Sequence, residues 1–353
     1  MKDCILLTGG AGFIGSALSH LITGPDALPV IAIDSLHPQV HAHGIRPPEL
    51  HDDVRLIVAD ICEPATWVSF LAEWRPSIVV HLAAETGTGQ SLSEASRHTH
   101  VNVTGTACML DAFAAVGHVP QRFVLSSSRA VYGEGVWLGA DGIRLSPGQR
   151  SKAMLDAGHW DFPNATALPF VADSTPANPT SIYGATKLAQ EQIIRSWALS
   201  FGSEIAILRL QNVYGPGQSL DNPYTGIVSL FSRLARVGKS IPLYEDGLMR
   251  RDFIFISDVA RALHAAMYER NAEGQIHDIG YGKPTTIGDV ANLIAAHYAA
   301  PAPHVCGKYR NGDVRHAGCE VMRAEAIGWR PEVELADGIN RLCDWIDLRL
   351  EGM

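Results

Sequence analysis

The chain of 353 residues contains no pair of cysteines at CxxC spacing; its six cysteines, Cys4, Cys62, Cys108, Cys306, Cys319 and Cys343, are scattered. Scattered cysteines give no support to a disulfide scaffold and read as buried, reduced thiols in a reducing cytoplasm. No apolar run reaches membrane-spanning length, and no charged leader with a cleavage site precedes the first apolar run. The expectation is a cytoplasmic protein without a membrane segment. A basic excess is absent too: the net charge is −9 and the pI about 5.9. That balance argues against nucleic acid or an anionic membrane as partner, so an anionic ligand would need a local basic pocket. Internal repeats and low-complexity segments are missing. His37, His41, His43 and His51 share one loop with Pro38, Pro47 and Pro48. No helix face offers matching ligand spacing, so a surface loop and no metal are expected.

The length suffices for one large domain or two modest ones with a sizeable core. The informative stretch is Thr8-Gly9-Gly10-Ala11-Gly12-Phe13-Ile14-Gly15, between the apolar run Cys4–Leu7 and the apolar-periodic segment Ala17–Ile22. That is strand, glycine turn, helix. Gly9 permits the turn, Gly12 lets the backbone approach a pyrophosphate, and Gly15 allows close packing of the helix. The free N–H groups at the helix start, around Phe13, Ile14 and Gly15, would hold the phosphates. A second apolar run, Val30–Ile33, ends in Asp34. A carboxylate there accepts hydrogen bonds from ribose hydroxyls and repels a 2′-phosphate, so the cofactor read from the sequence is NAD.

Strands and helices then alternate. Val54–Ala59 ends in Asp60-Ile61, and Ile78–Ala84 ends in Leu82-Ala83-Ala84. A long helix from about Ser93 to Val116, a strand Arg122–Leu125, a helix Glu191–Phe201 and a strand Ile205–Leu208 follow. The alternation predicts an α/β fold, a Rossmann-type doubly wound parallel sheet, with Asp60, Ile61, Leu82, Ala83 and Ala84 flanking the dinucleotide at the strand ends. From Asn212 the alternation breaks, with Tyr214-Gly215-Pro216-Gly217 and Asn222-Pro223 as turns. Residues 1–211 form the expected cofactor domain, with 252–280 and 335–350 returning to it. Residues 212–251 and 281–334 form a smaller C-terminal α/β substrate lobe. Residues 134–175 make an unusually long connection with Trp137 and Trp160, read as a lid or a subunit contact.

Tyr183-Gly184-Ala185-Thr186-Lys187 begins a helix, so Tyr183 and Lys187 share a face. An adjacent ammonium would lower the tyrosine pKa and suit it to move a hydroxyl proton near neutral pH. Ser126-Ser127-Ser128-Arg129-Ala130-Val131-Tyr132-Gly133 follows a strand, where a serine can bond a reacting oxygen. With these motifs, the HLAA strand end, LRLQNVYGPG and RRDFIFISDVA in order, the chain resembles the extended short-chain dehydrogenase/reductases that modify nucleotide sugars. The resemblance implies Ser128, Tyr183 and Lys187 as the catalytic set, with Lys187 also on the nicotinamide ribose, Ser127 as a second serine and Asn102 near the active site. It implies Asn212, Arg251 and Arg310, the last beside Asp313, as the grip on a nucleotide diphosphate. Guanidinium groups suit phosphate because they donate paired bonds in a plane. Arg250, next to Arg251, leaves open which of the two points inward.

Where dehydratases and decarboxylases of the family carry acids after the serine, this chain has Arg129 and Ala130, and no cysteine lies between Cys108 and Cys306. The implied reaction is therefore 4-epimerisation. The Glu85–Ser91 stretch, with Thr86, Gly87 and Thr88, and the long connection resemble the branch acting on dTDP-L-rhamnose to give dTDP-6-deoxy-L-talose. The alternatives are a UDP-hexose or UDP-uronate 4-epimerase, a 4-ketoreductase, and a nucleotide sensor, which would typically lack Tyr183 and Lys187. The resemblance also implies a homodimer through the Ser93–Val116 and Tyr183–Phe201 helices. Their apolar positions Val101, Ala107, Leu110, Ala114, Ile194, Trp197 and Ala198 fit the protein's own core equally well.

Overall fold

A computed structural model of the chain describes residues 1–41, 43–220, 222, 226–269 and 276–351. Pro223 of the Asn222-Pro223 turn lies outside the described residues. The first half alternates β1 (Lys2–Thr8), α1 (Phe13–Ile22), β2 (Val30–Asp34), β3 (Arg55–Val58), α2 (Pro64–Glu73) and β4 (Trp74–His81). Short helices α3 (Thr88–Ser91) and α4 (Ala95–Thr99) lead through a π-helical turn at His100–Thr104 into α5 (Gly105–Ala115) and β5 (Arg122–Ser128). The long helix read over Ser93–Val116 is thus one rod with a widened turn in its middle.

Residues 134–175 are not a bare loop. They contain β6 (Trp137–Gly139), β7 (Arg144–Leu145), α6 (Lys152–Asp156) and β8 (Ala165–Ala167), with the strands in a small antiparallel sheet ordered β7-β6-β8. The chain continues through α7 (Ile182–Phe201), β9 (Glu204–Leu210), β10 (Asn212–Tyr214), α8 (Ile227–Arg236), β11 (Pro242–Leu243), β12 (Arg250–Arg251), β13 (Phe253–Phe255) and α9 (Ile256–Tyr268). The last elements are β14 (Ile276–Ile279), β15 (Thr285–Thr286), α10 (Ile287–His297), β16 (His304–Val305), β17 (His316–Ala317), α11 (Met322–Glu325) and α12 (Leu335–Glu351).

The central sheet is parallel and seven-stranded, in the order β14-β9-β5-β4-β1-β2-β3. Apolar strands buried on both faces, such as Cys4–Leu7 and Phe123–Leu125, fit that architecture. One face packs α1 and α9 through Leu18, Val259, Leu263 and Ala266; the other packs α2, α5 and α7 through Trp67, Phe113 and Ile194. The order reverses beside β1, with β2 on one side and β4 on the other, and opens a crevice at the C-terminal strand ends.

The lobe has a separate core, with Val228, Phe231, Ile241, Val290 and Ile294 at its centre. Residues 335–350, expected to return to the cofactor domain, pack on β13 of the returning segment and also enter the core of this lobe. Ile339, Leu342, Cys343 and Ile346 of α12 are buried against α8 and α10. Helical periodicity shows an apolar stripe but not which neighbour covers it. A second small sheet, β15-β12-β17, sets Arg251 opposite Ala317 and Arg250 opposite His316.

Candidate active site

The glycine turn links β1 to α1. Gly9 takes φ +66°, and a Cβ there would meet the Ala83 backbone at 2.7 Å; a Cβ at Gly15 would meet the Gly10 carbonyl at 2.5 Å. The turn is thereby pressed onto the Leu82-Ala83-Ala84 end of β4, where the Leu82 amide donates to the Thr8 carbonyl at 3.0 Å. Gly12 caps α1 without a side-chain bond, so the first-turn amides of Phe13, Ile14 and Gly15 point outward with no side-chain acceptor. Those donors, with the helix dipole, fit a pyrophosphate.

Asp34 ends β2 and steadies the same turn. Its Oδ2 accepts from the Ala11 amide at 3.0 Å and its Oδ1 from the Leu36 amide at 2.9 Å. Each oxygen keeps lone-pair capacity for a ribose hydroxyl. His41, from the histidine-containing loop, sits 4.0 Å from Asp34 and is mostly buried, so that loop folds back onto the crevice rather than lying wholly on the surface. Burial lowers the His41 pKa. Among the described residues no group of three or more His, Cys, Asp or Glu is placed to hold a metal ion.

At the β3 end, Asp60 accepts from the Cys62 amide at 2.8 Å, and Ile61 is buried against Gly105 of α5. Asn102 lies in the π-helical turn. Its amide donates to the Glu85 carbonyl at 3.0 Å and to Thr186 Oγ1 at 2.9 Å, and its oxygen accepts from the Glu85 amide at 2.7 Å. It therefore pins the start of the Glu85–Ser91 stretch, which carries Thr86, Gly87 and Thr88, to helix α7. A π-turn at such a place is a common functional feature.

Ser128, Tyr183, Arg129, Asn212, Arg251 and Asp313 come together at the C-terminal sheet edge. Ser181 caps α7, accepting from the Gly184 amide at 3.0 Å, which fixes Tyr183 in the first turn. The Ser128 hydroxyl lies near enough to Tyr183 to lower its pKa, and Ser128 Oγ accepts from the Ala130 amide at 3.1 Å. Arg129 donates from Nε to Asn212 Oδ1 at 2.7 Å. Arg251 is buried and Arg250 exposed, and Arg251 Nη2 lies 3.2 Å from Asp313 Oδ1. Arg310, expected in the same grip, is exposed, with its guanidinium over the Tyr244 ring at 5.1 Å. Its carbonyl accepts from the Asp313 amide at 3.3 Å.

One expectation is corrected. Ser127 does not face Tyr183. Successive strand residues point to opposite faces, and the buried Ser127 hydroxyl donates to Glu191, which pairs with Arg209 at 2.7 Å. Lys187 is buried on the same helix as Tyr183, and the charge that lowers the Tyr183 pKa comes from Arg129. The Lys187 Nζ donates to Gln190 Oε1 at 2.6 Å, and burial lowers its own pKa to about 7. The Tyr183 pKa is raised by burial, against Ser128 and the Arg129 charge, which lower it. Burial lowers the Arg129 pKa to about 9, with the Arg251 charge acting in the same direction.

The sequence reading missed the groups behind these residues. His81 bonds Thr8 at 2.7 Å and Thr106 at 2.9 Å, and its Nε2 lies 3.0 Å from the Gln190 amide. Burial, reinforced by the Lys187 charge, lowers the His81 pKa to about 3, so it stays neutral. The available signal was spacing, since Gln190 stands one helical turn after Lys187.

Fold and site together define a dinucleotide-binding protein of the extended short-chain dehydrogenase/reductase class. The chain belongs to the NAD dependent epimerase/dehydratase family, whose model matches residues 5–280. It is 53% identical to the dTDP-L-rhamnose 4-epimerase of Burkholderia thailandensis, over 98% of this chain and 96% of that protein. Its fold is similar to that of the UDP-glucose 4-epimerase of Thermotoga maritima with UDP-glucose, at a TM-score of 0.81 and 25% identity, covering 99% of both chains. The Thermus thermophilus UDP-glucose 4-epimerase in complex with NAD is similar at a TM-score of 0.78 and 27% identity, covering 97% of this chain and 98% of that one.

Proposed function

We propose that the protein is an NAD-dependent 4-epimerase of a nucleotide-diphosphate hexose, and that it interconverts dTDP-L-rhamnose and dTDP-6-deoxy-L-talose. The observation that carries the reaction type is the Ser128–Tyr183 hydroxyl pair beside Arg129 and Ala130, with no acid following Ser128 to eliminate water. The sugar follows the 53% identical relative, which acts on dTDP-L-rhamnose by its name.

NAD, when bound, would supply the hydride acceptor and donor for the sugar C4. Gly9, Gly12 and the amides of Phe13, Ile14 and Gly15 would hold its pyrophosphate, and Asp34 its adenosine ribose. Asp60, Ile61, Leu82, Ala83 and Ala84 would flank it along the strand ends, with Lys187 on the nicotinamide ribose. Tyr183 takes the proton of the sugar 4-hydroxyl and later returns it. Ser128 accepts from the Ala130 amide, so its one hydrogen is available to donate, to Tyr183 in the free site and to the sugar oxygen when substrate is bound. Burial opposes the phenolate, while Ser128 and the Arg129 charge favour it. Arg251, held by Asp313, grips the diphosphate while the 4-keto sugar turns over. Asn212 orients Arg129 beside it. Asn102 holds the Glu85–Ser91 stretch, where Thr86, Gly87 and Thr88 would meet the hexose. The hydride chemistry that NAD would supply is reversed within each turnover, so no net redox change would result.

The test is incubation of the purified protein with dTDP-L-rhamnose, without added reductant, followed by NMR of the sugar H4. Both configurations are expected, and Tyr183→Phe should slow their exchange by on the order of a thousandfold. An unchanged spectrum would overturn the rhamnose assignment in favour of UDP-hexoses or UDP-uronates. Stoichiometric NADH consumption with a 4-keto sugar would indicate a ketoreductase instead. We further propose a cytoplasmic homodimer. The six free cysteines fit a reducing compartment, and among the described residues no helix is long and apolar enough to cross a membrane. Leu110, Ile194 and Ala198 are buried in the protein's own core. A dimer face on α5 would therefore fall to half-buried Ala107 and exposed Ala114.

A further inference from the structure

The long connection at 134–175 is joined to the substrate lobe by buried charge. Arg150 is 2% exposed, yet every one of its N–H groups has an acceptor. Nε donates to Glu134 Oε1 at 3.2 Å; Nη1 donates to the Trp160 carbonyl at 3.1 Å and Glu245 Oε2 at 2.9 Å; Nη2 donates to Glu245 Oε1 at 2.8 Å and the Asp313 carbonyl at 2.9 Å. Five donors and five acceptors is the full capacity of a guanidinium. Arg315, 1% exposed, shares Glu245 at 3.0 Å and pairs with Asp161 at 2.9 Å and Asp246 at 2.7 Å. Its backbone amide donates to Glu134 Oε2 at 3.0 Å.

The far side of this network is the candidate diphosphate grip. Arg251 Nη1 donates to the Arg315 carbonyl at 3.2 Å and Nη2 to Asp313 Oδ1 at 3.2 Å. Among the described residues no protein acceptor is found for Arg251 Nε. Arg251 Nη1 also donates to the Arg250 carbonyl at 2.8 Å, and its other two oxygen partners are fixed by the connection, Asp313 through Arg150, and Arg315 through Glu134 and Asp161. Glu245 supports the same point with a left-handed backbone, φ +53°, rare for a residue with a Cβ. Desolvating several charges is costly, which fits a group of residues kept for placement rather than for stability alone.

We propose that residues 134–175 are a fixed brace for the diphosphate grip, with Arg150 as a positioning residue that acts on substrate through Asp313 and Arg251. The proposal rests on the reading of Arg251 as a diphosphate ligand. It replaces the expectation of a lid, because Arg150 and Arg315 would have to leave their acceptors for the connection to open.

The test is calorimetric titration of the holoenzyme with dTDP, together with kcat and KM for the nucleotide sugar. Arg150→Met should lose about 10- to 100-fold in dTDP affinity and raise KM in step, with kcat and bound NAD nearly unchanged. Arg150→Lys cannot reach five acceptors and should recover only part of the loss. Asp161→Asn cuts the network at its exposed rim and should lose about threefold without threatening the fold. Affinity within about twofold of wild type in a folded Arg150→Met overturns the brace. If Arg150→Met does not fold, unchanged dTDP affinity in Asp161→Asn overturns it. Arg251→Ala separates the two readings. If it binds dTDP like wild type, the grip itself is wrong and the brace falls with it. If it weakens binding while the Arg150 and Asp161 variants do not, only the brace fails.

Discussion

Ser127 and Ser128 are adjacent in sequence and perform different tasks. The strand carries the Ser127 hydroxyl into the Glu191–Arg209 pair and the Ser128 hydroxyl toward Tyr183. Ser127→Ala is therefore expected to leave an acceptor of Glu191 short of one donor and to lower stability by roughly 1–3 kcal/mol, with kcat little changed. Ser128→Ala should do the reverse, costing about 10- to 100-fold in kcat with an unchanged melting temperature. Thermal melts and turnover measured on both variants separate the roles; a kcat loss confined to Ser127→Ala would refute the assignment. The serine run was legible as a site because it follows a strand. Which hydroxyl faces the chemistry was not, because that depends on where the strand's pleat meets α7.

At the level of elements, the strand–turn–helix at residues 2–22 was readable because its signals are local: an apolar run, fixed glycine spacing and a helical stripe. The structure gives the glycines different reasons. Added Cβ atoms at Gly9 and Gly15 meet backbone at 2.7 and 2.5 Å, whereas one at Gly12 meets only the Gly9 carbonyl at 3.2 Å. Gly9 and Gly15 are demanded by the fold and Gly12 by the ligand. Gly12→Ala is expected to fold with a melting temperature close to wild type and to bind NAD about tenfold or more weakly, because its methyl would stand where the pyrophosphate approaches. Fluorescence titration with NADH checks it, and undiminished affinity would mean that the phosphates lie elsewhere. The sheet β7-β6-β8 was not readable for the opposite reason: its strands are two or three residues long and pair across intervals that no local pattern encodes. The docking of α12 onto the lobe escaped in the same way.

Across the whole molecule, one face of the sheet, helix α7 and the connection at 134–175 meet in a buried polar cluster that sequence spacing does not reveal. Tyr132 donates to Asp278 at 2.9 Å, stacks on Phe170 at 4.6 Å and lies beneath the Arg209 guanidinium at 4.6 Å. Strands β5, β9 and β14 and the segment leading into α7 all meet there. Burial raises the Asp278 pKa to about 7 against the usual value of 3.8. Folding therefore favours the protonated acid. Its contribution to stability is complete below pH 4 and is lost as pH rises to about 7, at most about 4 kcal/mol at 1.36 kcal/mol per unit. Glu134, raised to about 7 by burial, has the same sign. His81, lowered to about 3, has the opposite one, giving stability above pH 6.5 that is lost as pH falls toward 3. The wild-type profile is the sum of these slopes, so Asp278 is isolated by difference. Asp278→Asn keeps the shape and the Tyr132 hydrogen bond but cannot ionise. The variant's melting temperature relative to wild type should climb as pH goes from about 4.5 to 7 and then level off. A difference that stays flat across that range would show that Asp278 is ionised in the folded protein, with Arg209 outweighing its burial.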